Sequence, residues 1–228
     1  MQICLITGAN RGIGLALARK ALELNYRVIA THRGRDLEKL QDLANSAGDR
    51  MKLMKVDVSQ TTDVEQMVQN MPLPHIDILI NNAGVLLDEA VPFSELSEKT
   101  LMDTFRVNVW GPTLVTQKCL PLLINSANPR VAHVSSSMGS IAENASGRYY
   151  AYRSSKAALN MIHKSLSHDF PKLTTIAFHP GWVQTDMGGP SAAITPSQSA
   201  DGIWRTLQTA SHNDTGKFLS FDGREVAW

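Results

Sequence analysis

The sequence predicts an α/β fold: one doubly wound domain built around a parallel sheet of roughly seven strands. Three observations predict it. Short apolar runs alternate with longer stretches whose apolar residues recur at helical spacing. No linker, internal repeat or low-complexity tract divides the 228 residues, so residues 1–228 read as a single domain. At 43% hydrophobic and 19% charged residues, the chain can bury a substantial core without cross-links.

Ile3–Thr7 reads as the first strand. Arg11 to Asn25 follows as a helix, with Ile13, Leu17, Ala21 and Leu24 on one face. Arg27–Thr31 is the second strand, and Asp36 is placed to cap the helix that carries Leu37, Leu40 and Leu43. Met51–Val58 is the third strand and Ser59 to Met71 a polar-faced helix. Ile76–Asn81 is the fourth strand. Leu96 to Ile124 is one long helical stretch, interrupted at Gly111-Pro112. Arg130–Ser135 is the fifth strand, Tyr150 to Phe170 a helix and Thr174–His179 the sixth strand. Gly188 to Ser199 is a glycine-, proline- and serine-rich loop, expected to be mobile. Pro196 to Ala210 is the last helix, and Gly216–Ser220 a closing strand. Crossovers between parallel strands are right-handed, and ligands bind beyond the carboxyl ends of such strands.

Composition excludes several classes. Twenty-two Lys and Arg against 21 Asp and Glu give a formal charge of +1, so bulk charge supports neither a nucleic-acid nor an anionic-membrane partner. The two cysteines, Cys4 and Cys119, cannot build a disulfide framework, and their apolar surroundings read as buried thiols. His133, His163, His168 and His179 have no metal-ligand spacing, and no metal is expected. No apolar run reaches the about 20 residues of a membrane span, and the start of the chain lacks a basic, cleavable leader. A cytoplasmic location is the expectation.

Thr7-Gly8-Ala9-Asn10-Arg11-Gly12-Ile13-Gly14 follows the first strand and opens the first helix. Glycines there let backbone approach a pyrophosphate, and the helix amino end offers free N–H groups. Backbone from Gly8 through Asn10 and Ile13 to Gly14 is therefore a candidate dinucleotide cradle of Rossmann type. The second strand ends Thr31-His32-Arg33-Gly34-Arg35, with Arg33 where an NAD site would carry an acid. Arg33 and Arg11 converging on a 2′-phosphate favour NADP(H). Asp57, with Val58 beside it, ends the third strand and is a candidate for the adenine amino group.

Tyr152-Arg153-Ser154-Ser155-Lys156 puts Tyr152 and Lys156 four residues apart, on one face of a helix. Lowering a tyrosine pKa from about 10 to about 7 takes roughly 4 kcal/mol of differential stabilisation. A neighbouring ammonium and an oxidised nicotinamide are the charges expected to supply it. Ser135-Ser136-Ser137 at the end of the fifth strand could hold a carbonyl oxygen. In Asn81-Asn82-Ala83-Gly84, Asn81 is expected to tie neighbouring strands, while Ala83 and Gly84 let a ribose approach. Asn108, in the interrupted helix, is expected to hold a water. In Pro180-Gly181-Trp182-Val183-Gln184-Thr185, backbone groups and the Thr185 hydroxyl could meet the nicotinamide amide.

These motifs, in this order and over essentially the whole chain, resemble the short-chain dehydrogenase/reductase family, most nearly the small carbonyl reductases of the Sniffer and C-factor group. The resemblance implies a tetrad. Tyr152 is the general acid in carbonyl reduction and the base in alcohol oxidation. Lys156 binds the nicotinamide ribose and lowers the tyrosine pKa, Ser136 bonds the substrate oxygen, and Asn108 holds a water in a proton relay. Ser136 is preferred to its neighbours because Ser-x-x-Gly then ends at Gly139. The distance from Ser136 to Tyr152 implies a small insertion within residues 140–151. The resemblance also implies a homodimer or homotetramer packed through the Asn108 and Tyr152 helices. The expected function is NADPH-dependent reduction of an aldehyde, ketone or quinone. The alternative is a nonenzymatic dinucleotide-binding regulator of the same fold.

Overall fold

The computed structural model describes residues 1–71 and 73–228. Seven strands run Ile3–Ile6 (β1), Arg27–His32 (β2), Met51–Lys55 (β3), Ile78–Asn81 (β4), Arg130–Val134 (β5), Thr174–His179 (β6) and Lys217–Ser220 (β7). They form one sheet in the order β3-β2-β1-β4-β5-β6-β7, and every neighbouring pair is parallel. The order reverses between β1 and β4, which opens a crevice beyond their carboxyl ends.

Helices Gly12–Glu23 (α1), Glu38–Ala47 (α2), Thr61–Gln69 (α3), Glu98–Phe105 (α4), Gly111–Ile124 (α5), Tyr150–Asp169 (α6) and Pro196–Thr209 (α7) connect the strands. Strand alternation divides the core. Cys4 and Ile6 of β1, with Ile78 and Ile80 of β4, pack towards Leu17, Leu22, Leu40, Ile203 and Trp204 of α1, α2 and α7. Ile3, Leu5 and Leu79 pack the other way, against Val64, Met67, Leu114, Cys119 and Leu123 of α3 and α5. The Trp204 indole donates to the Leu17 carbonyl at 3.0 Å and its ring lies 4.9 Å from that of Tyr26. A buried indole N–H thus finds its partner while joining α7 to α1. Cys4 and Cys119 are free and buried, and burial pushes Cys119 up to about 12.

Three local expectations are revised. Asp36 does not cap α2: it sits at φ +50°, and the helix starts at Glu38 with Leu37 at its uncapped N-cap. The turn before it is built instead on Gly34, whose N–H donates to His32 Nδ1 at 3.0 Å. The third strand ends at Lys55 because the chain then turns into the wall of the crevice, where Asp57 Oδ1 accepts from the Ser59 N–H and hydroxyl. The long helical stretch breaks earlier than Gly111: residues Arg106–Trp110 form a π-turn between α4 and α5. Pro112 has no N–H to give the Asn108 carbonyl four residues back, which favours a wider turn there. The glycine-rich loop after β6 is bonded within itself, Gln184 N–H to Ile194 O at 2.9 Å, Ile194 N–H to Trp182 O at 3.1 Å and Gln184 Nε2 to Ala192 O at 3.0 Å. No helix among the described residues is long and apolar enough to cross a membrane.

Candidate active site

A cleft of about 810 Å³ runs along the carboxyl ends of the strands, and the segments after β1, β2, β3, β4, β5 and β6 all contribute to its wall. Gly8, Asn10, Arg11, Gly12, Ile13 and Gly14 form its floor. Gly14 must be glycine. A Cβ there would stand 2.2 Å from the Gly8 carbonyl oxygen and 2.5 Å from Asn82 Nδ2. The amino end of α1 has no side-chain cap and no acid in its first turn, so the chain leaves those N–H groups to a ligand. This bare helix end beside a close-packed glycine turn fits a dinucleotide pyrophosphate.

Asn82 is the residue the sequence reading passed over. Its amide donates to the Thr7 and Gly8 carbonyls at 3.0 Å each, and the Thr7 hydroxyl accepts from the N–H groups of Asn82 and Ala83 at 3.0 and 3.1 Å. Asn82, Ala83 and Gly84 line the cleft, whereas Asn81 points to the opposite face of the sheet and donates to Thr116 Oγ1 of α5 at 2.9 Å. Asn81 therefore ties β4 to a helix, not to a neighbouring strand, and lies outside the cleft wall.

Arg33, Arg35, Asp36 and Lys39 line the end of the cleft beyond β2. Arg11 does not converge with Arg33. It forms an exposed ion pair with Asp186 across the cleft mouth. Asn10 donates to the Arg35 carbonyl at 3.1 Å, so its amide shapes this wall. Asp57 and Val58 also line the cleft, with Asp57 Oδ1 already engaged by Ser59. Pro180 and Thr185 line it on the β6 side. Gly181 and Val183 are not in the wall. Gly181, at φ +88°, packs against Ile194 and Phe221, and Val183 bridges to Ile194. The Thr185 hydroxyl accepts from the Gly188 N–H at 3.2 Å, while its methyl rests against Gly12.

Tyr152 and Lys156 lie side by side on α6, with Lys156 Nζ 5.6 Å from the centre of the tyrosine ring. Both line the cleft and both are buried, at 8% and 4% exposure. Burial pushes the Tyr152 phenol up to about 12, and the neighbouring Ser136 side chain pulls the other way. Burial pushes Lys156 down to about 8, and Nζ donates to the Val134 carbonyl at 2.8 Å. Without the cofactor's charge the phenol stays above its ordinary value, because desolvation outweighs the Ser136 contact. Ser136 neighbours Tyr152, while Ser135 is the serine of the run that lines the cleft. The Ser135 hydroxyl is buried and donates to Asn160 Oδ1 at 2.6 Å, and Ser137 opens a short 3₁₀ turn.

Asn108 sits in the π-turn, 1% exposed. Its Oδ1 accepts from the Val85 N–H at 2.8 Å, and its Nδ2 donates to the Val85 carbonyl at 2.8 Å and to Ser155 Oγ at 3.0 Å. Both amide hydrogens are taken. The side chain is a three-way tie between the loop after β4, the π-turn and α6. The predicted insertion, residues 140–151, contains an exposed turn in which Gly147, Arg148 and Tyr149 all have positive φ.

Residues 2–194 match the short chain dehydrogenase family. The chain belongs to that family. It is 44% identical over 155 residues to the C-signal protein of Myxococcus xanthus, covering 67% of this chain and 93% of that protein. Among solved structures it is similar to the carbonyl reductase Sniffer of D. melanogaster, with 32% identity, a TM-score of 0.93 and coverage of 100% and 99% of the two chains. It is also similar to the NADPH-bound carbonyl reductase from chicken fatty liver, with 30% identity, a TM-score of 0.93 and full coverage of both chains.

Proposed function

We propose that this chain is an NADPH-dependent carbonyl reductase that acts on aldehydes, ketones or quinones. The observation that carries the reading is the pairing of Tyr152 and Lys156 in the wall of the glycine-floored cleft. NADP(H), when bound, supplies or accepts the hydride. The Gly8–Gly14 backbone and the bare end of α1 hold its pyrophosphate, and Ala83 and Gly84 give a ribose room. Arg33, Arg35 and Lys39 outweigh Asp36 at the far end of the cleft, which supports a 2′-phosphate. The likeness to an NADPH-bound carbonyl reductase supports the same choice.

In reduction, Ser136 orients the carbonyl oxygen and Tyr152 gives it the phenolic proton as the carbon accepts hydride. A buried phenol held near about 12 is fully protonated at neutral pH, which suits a proton donor. Lys156, positively charged below about 8, stabilises the phenolate that remains. Oxidation runs the same steps backwards. Exposed apolar side chains flank the elements of the site: Phe93 is 70% exposed with its ring 5.0 Å from that of Tyr150, and Trp182 and Met187 are exposed in the loop after β6. These side chains support apolar carbonyl substrates.

The likeness to a protein named C-signal favours a second reading, a nonenzymatic dinucleotide-binding regulator. A regulator needs neither the phenol nor the amine, so the pair argues for turnover. Exposed Met102, Trp110 and Met161 on α4, the π-turn and α6 support a homo-oligomer, which light scattering after gel filtration checks. The deciding experiment is NADPH oxidation with a panel of aldehydes, ketones and quinones. Turnover with at least one class supports the reductase. Tight NADPH binding with no turnover on any of them favours the regulator.

A further inference from the structure

We propose that Asp88 is the positioning residue for Tyr152, reaching across from the loop after β4 to fix the start of α6. This rests on the reading of Tyr152 as the proton donor.

Helix α6 begins without a local device. Gly147, Arg148 and Tyr149 lead into it at φ +64°, +56° and +51°, and Tyr149, at the N-cap, makes no side-chain cap. Two consecutive non-glycine residues in the left-handed region persist only where surrounding contacts hold them. The holding contacts come from both sides. Arg153 reaches back to the Gly147 carbonyl at 3.0 Å and to the Ser146 hydroxyl at 2.8 Å. Asp88, 1% exposed, accepts from the Ala151 N–H through Oδ2 at 2.7 Å and from the Tyr152 N–H through Oδ1 at 3.3 Å. Both carboxylate oxygens are thus spent on the first turn of the helix, and one of them on the residue that carries the phenol.

A serine or asparagine at the N-cap would satisfy the same N–H groups without burying a charge. What a remote carboxylate adds is registration. The loop that carries Asp88 is already fixed at Asn82, through Thr7 and Gly8, and at Val85, through Asn108. Asp88 is its third fixed point. Tyr152 is thereby set against the segment that forms the cleft wall, not merely against its own helix. A phenol displaced by about 1 Å from its working position costs on the order of 100-fold in rate.

The test compares Asp88→Ala, Asp88→Asn and Asp88→Ser with wild type and with Tyr152→Phe. The readouts are kcat, KM, NADPH affinity, the solvent isotope effect on kcat, and amide exchange at Ala151 and Tyr152. Near-UV circular dichroism selects the folded variants, and the asparagine, able to accept one N–H, guards against collapse of the alanine. The expected result is a kcat loss of about 10- to 100-fold in the folded variants, NADPH affinity within about twofold, a larger solvent isotope effect and faster exchange at the two amides. Asparagine should recover part of the loss. Wild-type kcat in the Asp88 variants alongside an inactive Tyr152→Phe overturns the role of Asp88 and leaves the reductase reading intact. Parallel losses of kcat and NADPH affinity with an unchanged isotope effect indicate general damage and also overturn it. Full turnover in Tyr152→Phe overturns the donor reading, and the role of Asp88 falls with it.

Discussion

At the scale of single residues, the chemistry is governed by desolvation. Tyr152 and Lys156 are moved in opposite directions by the same burial, to about 12 and about 8. Above its pKa the lysine is neutral while the phenol still holds its proton. The activity of the reducing direction is therefore expected to fall as pH rises through about 8, with the alkaline limb belonging to Lys156. A kcat/KM profile against pH checks this, and a limb only above about 10 would transfer control to the phenol. Arg33 is an exposed guanidinium at the cleft end. Arg33→Ala is expected to weaken NADPH by roughly 10-fold or more while changing NADH little, as loss of a charge-assisted bond to a phosphate would. Titrations of both nucleotides read this out, and equal effects on the two would mean that Arg33 does not meet the 2′-phosphate.

At the scale of elements, one loop does the assembling. Residues 82–88 join the glycine turn, the π-turn and α6 through Asn82, Val85 and Asp88. Asn108 is the hub of that assembly, so Asn108→Ala leaves the Val85 N–H and C=O without their side-chain partners. A loss of about 2–4 kcal/mol in urea unfolding is expected. A variant as stable as wild type would contradict that structural role. The strands and helices of this region were legible in the sequence because apolar period and glycine placement are local. Which face Asn81 takes was legible in principle. Strand alternation puts Leu79 and Asn81 on the α5 side and Ile78 and Ile80 on the α1 side, so the glycine turn can meet only Asn82. The bonds of Asp88 and Asn108 were not legible. Their partners lie 63 and 23 positions away, and no spacing rule announces a contact made by loop geometry. The pairing of Arg11 with Asp186 escaped for the same reason, and the uncapped α2 because the Gly34 turn overrode a favourable capping residue.

At the scale of the whole molecule, the sheet order brings six segments to one cleft, and buried neutral histidines set the response to acid. His133 and His163 face each other behind the sheet with Nδ1 atoms 3.2 Å apart, both essentially inaccessible. Burial pushes His163 and His179 down to about 4, and drives His133 well below the usual histidine range. Unfolded histidines bind protons near about 6.5, so in this window the unfolded chain binds more of them and stability falls as pH drops towards about 4. His163 alone corresponds to about 3 kcal/mol once the window is crossed. Urea midpoints measured between neutral pH and about 4.5 check this, and a flat profile would contradict neutral burial. The parallel topology and the position of the cleft followed from alternating strand and helix, because right-handed crossovers leave few other arrangements.

The central claim is that the Tyr152 phenol protonates the carbonyl oxygen as hydride is delivered. Its most direct test is single-turnover NADPH oxidation by Tyr152→Phe, with any carbonyl the wild-type protein reduces and with NADPH binding measured alongside. The account predicts unchanged NADPH affinity and a rate lower by about 100-fold or more. A Tyr152→Phe protein that oxidises NADPH at the wild-type rate would contradict it.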